Sequence, residues 1–560
     1  VRHLAKTALV ASLLLGCGAS SATPVQPAAQ PERPRLARHA RLVHEAFDAE
    51  RAHATVAYVE RHFRVRGNRG YVKTLERVAA ELAAAGFASS NVRTIALGPV
   101  EPTWTPRSAS LALIAADGSA TPLVRFDDEA ERDRACLLVR SDARPEGELE
   151  LVRLEDVRRG ASSRGRVVLA EGDPRAVWRA HPDAAGIVVM SLEPYHRGDE
   201  QPDVAQFGYL PEHLEPAFGF SVSPRVYARL REATEQGPAR IRVAIDVEVG
   251  RSAATAVEAR IPGADSALGA IVLVAHVDEP GANDNGSGVA AQAELAGALH
   301  RLIEAGAVPR PRRTIVFLWG QEMEVSRTWL ASPPMPVGAG LVMDMVGQDP
   351  AIVGAPFLIE RMPDPGAVWL RAPDEHTEWG ASEVDPDSLR GHFLNDLTAA
   401  AACEVERFDG PWRWRTNPFE GGSDHVPFLE RGLPALLAWH FTDSAYHTTL
   451  DRLDRVSGPE MRRVASTLGA VVLAMALGED EDALELVEVV EAAGRERLET
   501  LRDASDELVR SGQSDVATEA RVRRAWVRWY DEALGSIGPF FASAPVTARV
   551  AEARRAWSTP

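Results

Sequence analysis

Three cysteines in a chain of 560 residues are too few for a disulfide framework. Basic charge is short beside acid: 62 Lys and Arg stand against 80 Asp and Glu, a formal net charge of −18. That balance argues against nonspecific nucleic-acid binding, and no basic stripe with interleaved aromatics offsets it. No internal repeat is present, which sets aside solenoid arrays. The apolar run near the N-terminus, Ala8–Leu15, is too short to span a bilayer. What remains is ordinary for a globular protein, 45% hydrophobic and 25% charged. Its length allows two or three domains with substantial cores.

The N-terminus has the form of an export signal. Arg2, His3 and Lys6 precede the apolar run, which closes on Leu14-Leu15-Gly16-Cys17. That ending resembles the lipobox of bacterial lipoproteins, which implies that Cys17 is lipidated and becomes the mature N-terminus. Gly18, where Asp would mark inner-membrane retention, points to the outer membrane. The expected location is therefore the cell envelope, with a lipid on Cys17 as the membrane contact. Residues 1–17 form the signal, and 18–40, rich in Ala, Ser, Pro and Gln, read as a flexible tether. Cys136 and Cys403 lie far apart, and the sequence leaves open whether they pair.

Beyond the tether the pattern changes three times. Tyr71–Ala85 places Leu75, Val78, Ala79 and Leu82 on one helical face, with Gly86 placed to stop it. Residues 102–250 carry short β-type runs such as Arg166–Ala170 and Gly186–Met190, separated by turns, and read as an inserted β-rich domain. From 251 to 479 strand-like runs (Ile271–Ala275, Thr314–Trp319, Leu341–Met345, Leu433–Trp439) alternate with helix-like ones (Val289–Ile303, Leu389–Ala402, Pro459–Leu477). That alternation predicts an α/β domain, with residues 41–101 as its first part. Residues 480–560 read as a charged helical extension.

The chemistry-bearing residues sit where these strands end. Ile271–Ala275 runs into His276 and Asp278, then a Pro-Gly turn, then Asn283-Asp284-Asn285-Gly286 and a helix. Open α/β sheets place their active sites at such strand-to-helix loops. The next strand ends in Gly320-Gln321-Glu322-Met323-Glu324, and the next in Asp344. Gly421-Gly422-Ser423-Asp424-His425 and Tyr446-His447-Thr448 follow. Each segment alone is weak. Together, two His and several carboxylates at one sheet edge are what a zinc site with open positions for water and substrate requires. Trp412 and Trp414 are read either as a pocket wall or as packing against the inserted domain.

The order H-x-D, G-A-N-D-N-G-S-G, a Glu after the next strand, M-D-M-V-G, S-D-H-x-P-F and Y-H-T resembles the co-catalytic zinc aminopeptidase family, which also holds glutamate carboxypeptidases and glutaminyl cyclases. Upstream, Arg66–Tyr71 through Ala84–Phe87 is similar to that fold's first helix. The β-rich block resembles a protease-associated domain. The resemblance implies a mixed sheet flanked by helices, a three-layer phosphorylase/hydrolase-like fold, two zinc ions and a peptide substrate. It further implies that His276 and Asp344 bind one zinc, that His447 binds the other and that Asp284 bridges them. Asp278 would hold the His276 ring through its second nitrogen. Ser423, Asp424 and His425 would support the site or line the pocket.

The chain departs from the family at one place. Base and last ligand are adjacent in the family, Glu-Glu, whereas this chain reads Glu322-Met323-Glu324. Glu322 is the base if the register is simple, with Met323, a poor zinc ligand, in the ligand position. Alternatively Glu324 coordinates zinc beside Glu322 as base, or Glu322 is itself the ligand. One zinc therefore stands beside two. The expected activity is aminopeptidase-type exopeptidase hydrolysis, with a glutaminyl cyclase-like acyltransferase and a non-catalytic peptide binder as alternatives.

Overall fold

An apolar, mostly β-branched run has no face to offer solvent and forms a strand covered on both sides. In the computed structural model, Ala270–His276 is such a strand, buried along its whole length. The structure describes residues 33–557 apart from 116, 214 and 215. The export signal, Cys17 and the tether up to residue 32 lie outside the described residues.

The strands in chain order begin with β1 (Val92–Ile114), β2 (Ala120–Phe126), β3 (Arg144–Arg153), β4 (Val167–Glu171), β5 (Gly186–Met190) and β6 (Phe218–Ser221). They continue with β7 (Ala239–Ile261), β8 (Ala270–His276), β9 (Ile315–Gly320), β10 (Val337–Met343), β11 (Phe357–Glu360), β12 (Trp414–Asn417) and β13 (Ala435–His440). All belong to one sheet, in the order β12-β11-β13-β10-β8-β9-β7-β3-β4-β5-β6, with β1 pairing β2 and β7. β9, β8, β10 and β13 run parallel, so their carboxyl ends share one edge. β7 and β11 are antiparallel to their neighbours β9 and β13. The sheet is mixed, as the family resemblance implies.

Alternation along the strands builds two covered faces. Ile271, Leu273, Phe317, Trp319, Leu341 and Met343 share a core with Val289, Leu295, Leu468 and Val471, from the helices Gly286–Glu304 and Gly458–Leu477. Val272, Val274, Val316, Leu318 and Val342 turn the other way, onto Val325, Trp329 and Phe428. Three layers result.

Two boundaries differ from the sequence reading. The tether expected over 18–40 gives way to a helix, Pro34–Ala46, with Leu36, Ala37, Ala40 and Val43 buried. Pro34 starts it well because the first turn needs no donor from that position. The inserted block does not begin or end at a linker. β1 and β7 are each 23 residues long and pair from Val92↔Ala259 to Ile114↔Arg240, so residues 102 and 250 fall inside continuous strands. The block still has its own core, including Leu111, Val167, Val188, Phe218 and Phe220.

The C-terminal helices Asp480–Arg510, Val516–Phe540 and Ala544–Trp557 bury Leu486, Val490, Trp526 and Trp529 in the main core. Glu519, in the second of them, is buried and accepts from Arg371, with Nη2 to Oε1 at 2.6 Å. The hydrogen bonds from Arg371, Ser514 and Ser505 outweigh burial and depress its pKa to about 2. A depressed carboxylate stabilises the fold above its unfolded pKa, near 4.5, and loses that contribution as the pH falls toward 2. Glu519→Gln is therefore expected to cost about 1–3 kcal/mol at pH 7. The gap from wild type should narrow below pH 4.5 in denaturant titrations.

Trp412 neither walls a pocket nor meets the inserted domain. It stacks on Phe357 of β11 with ring centroids 4.9 Å apart, and its Nε1 donates to Glu460 Oε1 at 2.6 Å. Trp414 Nε1 donates to Glu406 Oε2 at 2.9 Å. Cys136 and Cys403 are free thiols, the first of them buried.

Candidate metal centre

The site is assembled at the carboxyl ends of β8, β9, β10 and β13. His276 closes β8, Glu322 follows β9, Asp344 follows β10, and His447 lies in the loop after β13. Between β8 and its following helix, Asn283–Asn285 crosses beneath them. Asn285 ties three elements together. Its Nδ2 donates to Met343 O at 3.1 Å, and its Oδ1 accepts from Met345 N and from Gly288 N, each at 3.0 Å. The last of these caps the helix Gly286–Glu304. Gly288 must lack a side chain there, since a Cβ would lie 2.2 Å from both Asn285 Oδ1 and Met343 O. Asp284, joined to Asn285 by a cis peptide, is held from below. Asp451 accepts from Asn283 N at 2.6 Å and from Asp284 N at 2.9 Å.

Two ligand-like groups result, and they share Asp284. His276 Nε2 lies 2.9 Å from Asp344 Oδ1 and 3.5 Å from Asp284 Oδ1. His447 Nε2 lies 3.0 Å from Asp284 Oδ2 and 2.6 Å from Glu279 Oε2. Among the described residues these are the only groups of three or more His, Cys, Asp or Glu whose ligand atoms come together. His276, Asp284, Asp344 and His447 are thus brought into one cluster. Glu324 is not. Its carboxylate takes a bidentate fork from Arg66, with Nε and Nη2 each 3.0 Å away, outside both groups. Glu324, expected as a candidate metal ligand, is held instead in a charge-assisted fork by Arg66.

Glu279 is the residue that sequence reading passed over. It follows directly on His276-Val277-Asp278, and a carboxylate beside a His-x-Asp pair was the available signal. Its backbone is left-handed, φ +77°, as are those of Met323 (+56°), Met345 (+57°) and His447 (+53°). Four such non-glycine residues around one site mark a strained constellation that the surrounding packing enforces.

Asp278 acts differently from its expected role. The His276 Nδ1 partner is the Asp278 carbonyl, 3.2 Å away, while the carboxylate is 3.8 Å off. That carboxylate instead accepts from Glu322 N at 2.9 Å. Ser423 Oγ donates to Asp344 Oδ2 at 2.7 Å, and Asp424 Oδ1 accepts from Met323 N at 3.0 Å, so both support the site from behind. His425 is buried against Glu360, Nε2 to Oε1 2.9 Å, and does not reach the cluster.

The inserted block completes the His447 side. Phe207 N donates to His447 O at 2.6 Å, and Thr449 N donates to Ala205 O at 2.9 Å. His196 Nε2 donates to Tyr446 O at 2.9 Å. Tyr446 stacks on the His447 ring at 3.9 Å, with the Phe207 ring edge-on at 6.0 Å.

Electrostatics follow from packing so much acid out of water. Burial, reinforced by Glu279 and Asp344, pushes Asp284 up to about 7. Burial also raises Glu322 well above the usual carboxylate range, with Glu279, Asp344 and Asp278 adding to it. Burial opposes charge on His276 and His447, but Asp344 beside the first and Glu279 and Asp284 beside the second raise both well above the ordinary imidazole value. The cluster draws positive charge. Two imidazole nitrogens with surrounding carboxylates fit zinc, whose ligands are N and O donors in small number.

Residues 256–355 and 387–472 match the model of Peptidase family M28. Among curated proteins none matches the chain. Among solved structures, the chain is similar to a Peptidase M28 precursor from Shewanella amazonensis, at 18% identity and a TM-score of 0.55, covering 80% of this chain and 97% of that one. It is also similar to BSAP, a zinc aminopeptidase from Bacillus subtilis, at 15% identity and a TM-score of 0.50, covering 76% and 95%. At these identities the structural likeness shows the fold. The matched segments contain His276, Asp284, Asp344 and His447. The family matched is Peptidase family M28, the co-catalytic zinc aminopeptidase family that the motifs resemble.

Proposed function

We propose that this chain is a zinc-dependent exopeptidase that removes N-terminal residues from peptides. The observation that carries the reading is the pair of His/carboxylate groups sharing Asp284, with Glu322 half-buried among their charges. His276, Asp344 and Asp284 would hold one ion, and the group around His447 would hold a second, which favours two ions over a one-zinc acyltransferase. Zinc bound there supplies Lewis acidity toward a substrate carbonyl and lowers the pKa of a water molecule. Glu322 has the position of a general base: it takes a proton from water and delivers it to the leaving amine. Asp278 holds the backbone of Glu322, and the Asp278 carbonyl orients His276, so one short turn sets both groups. The free α-amine of a peptide, a cation, suits a site so rich in carboxylate. The lipobox-like sequence ending in Cys17 supports display from the outer membrane.

The test is a panel of peptides with free and with N-acetylated termini, given to the full chain loaded with zinc. Stepwise release of residues from the free N-terminus is expected, abolished by chelator and restored by zinc, with acetylated peptides left intact. Absence of hydrolysis by protein shown to contain zinc would turn the reading toward a peptide binder.

A further inference from the structure

We propose that Glu279 is a ligand of the metal held by His447, supplying from the His276 loop the carboxylate that Met323 cannot provide. This rests on the zinc exopeptidase reading and deepens it.

Three observations converge. The first is proximity. Glu279 Oε2 is 2.6 Å from His447 Nε2, and Asp284 Oδ2 is 3.0 Å from the same nitrogen. These three residues form a group of the same composition as His276, Asp284 and Asp344: one imidazole, one terminal carboxylate and the shared Asp284. The two pockets are then chemically alike.

The second is the scaffold under the loop. Glu279 sits in a left-handed conformation that costs a non-glycine residue of order 1–3 kcal/mol unless its surroundings enforce it. They do. Arg64, fully buried, donates from Nε to Val277 O at 3.0 Å and from Nη2 to Gly281 O at 2.6 Å, gripping both ends of the loop. Arg134, from the inserted block, reaches Pro280 O at 3.4 Å and Glu60 O at 2.7 Å. Gly281 closes the turn against Asp451, whose Oδ2 would lie 1.9 Å from any Cβ placed there. Two buried guanidinium groups spent on backbone carbonyls are a large commitment for one short turn. What the turn presents is the Glu279 carboxylate.

The third is elimination. Met323 has no carboxylate, and Glu324 is committed to Arg66, which also pairs with Glu101 at 2.8 Å. Glu322, half-buried, stands outside both ligand groups. Among the described residues, Glu279 is the terminal carboxylate that reaches His447.

The experiment is zinc per chain, by elemental analysis, on the full chain purified without chelator and dialysed against zinc. Wild type, Glu279→Gln and Glu324→Gln are compared. Two zincs in wild type, one in Glu279→Gln and two in Glu324→Gln are expected, with affinity at the lost position down by at least about 10–100-fold. The zinc kept by Glu279→Gln also shows that the variant is folded with Asp284 in place. Glu279→Asp, which keeps a shorter carboxylate, should bind the second ion more weakly than wild type and more tightly than Glu279→Gln. Loss of both ions or of neither in Glu279→Gln, or loss of one in Glu324→Gln, overturns the assignment while leaving the exopeptidase reading intact. A wild-type chain that binds no zinc overturns both.

Discussion

Glu322→Gln is expected to lower kcat by about 10²–10⁴-fold while zinc per chain stays at the wild-type value. The substitution keeps the size and planarity of the side chain and removes its capacity to accept a proton. Glu322 is placed for that role by its own backbone, since its N–H is held by Asp278 Oδ1 at 2.9 Å and the next N–H, of Met323, by Asp424 Oδ1 at 3.0 Å. Burial and the neighbouring carboxylates raise its pKa well above the usual carboxylate value. A base must be unprotonated to act, so kcat/KM of the wild type should fall as the pH drops through that pKa. The variant should lack this acid limb. Loss of zinc from Glu322→Gln would make Glu322 a ligand. Full activity there, together with inactivation of Glu324→Gln, would shift the base to Glu324.

Asp284→Ala is expected to take zinc per chain from two to below one, and with it essentially all hydrolysis. The same carboxylate faces both imidazoles, Oδ1 toward His276 at 3.5 Å and Oδ2 toward His447 at 3.0 Å, so its removal strips each pocket of a ligand and a negative charge. The metal-free proteins should behave in the opposite sense. Burial among Glu279 and Asp344 pushes Asp284 up to about 7, an unfavourable position for a carboxylate without a cation. The metal-free variant should melt no lower than metal-free wild type, and zinc should raise the Tm of the wild type alone. Elemental analysis and thermal melts with and without zinc check both halves. Retention of two zincs by Asp284→Ala would remove Asp284 from the centre of the site.

Much of this arrangement was legible in the sequence because it depends on local pattern. Ile271–Ala275 reads as a doubly covered strand from its side chains alone. Polar residues at the end of such a strand have few places to go other than the sheet edge. Pattern alone gathers two His and several carboxylates at that edge, and the family resemblance singles out His276, Asp284, Asp344 and His447. What was hidden depends on the direction in which a side chain leaves a turn. Glu322, Met323 and Glu324 differ by one residue each, and a left-handed Met323 decides that Glu324 starts a helix and meets Arg66. Glu279 was hidden for the same reason, since its aim depends on a positive φ and on Arg64, more than two hundred residues away in sequence. The helix at Pro34 was masked by composition, because alanine-rich, proline-led segments read as linkers until Leu36, Ala40 and Val43 are seen to be buried. The sequence leaves the surroundings of Trp412 open because an aromatic residue on a loop carries no record of which core it faces; here that core includes Phe357.

The two 23-residue strands that run from the sheet bearing the site into the inserted block have a mechanical consequence. A module joined by flexible linkers swings, whereas one joined by a continuous two-stranded ribbon twists and bends with it, as a girder does. The block carried by this girder returns to the site through the segment between β5 and β6, where Phe207 holds the backbone of His447. The loop bearing one metal-site histidine is thereby fixed at both ends of a closed frame. A load on the outer block would reach that loop through the backbone hydrogen bonds made by Phe207 and Ala205.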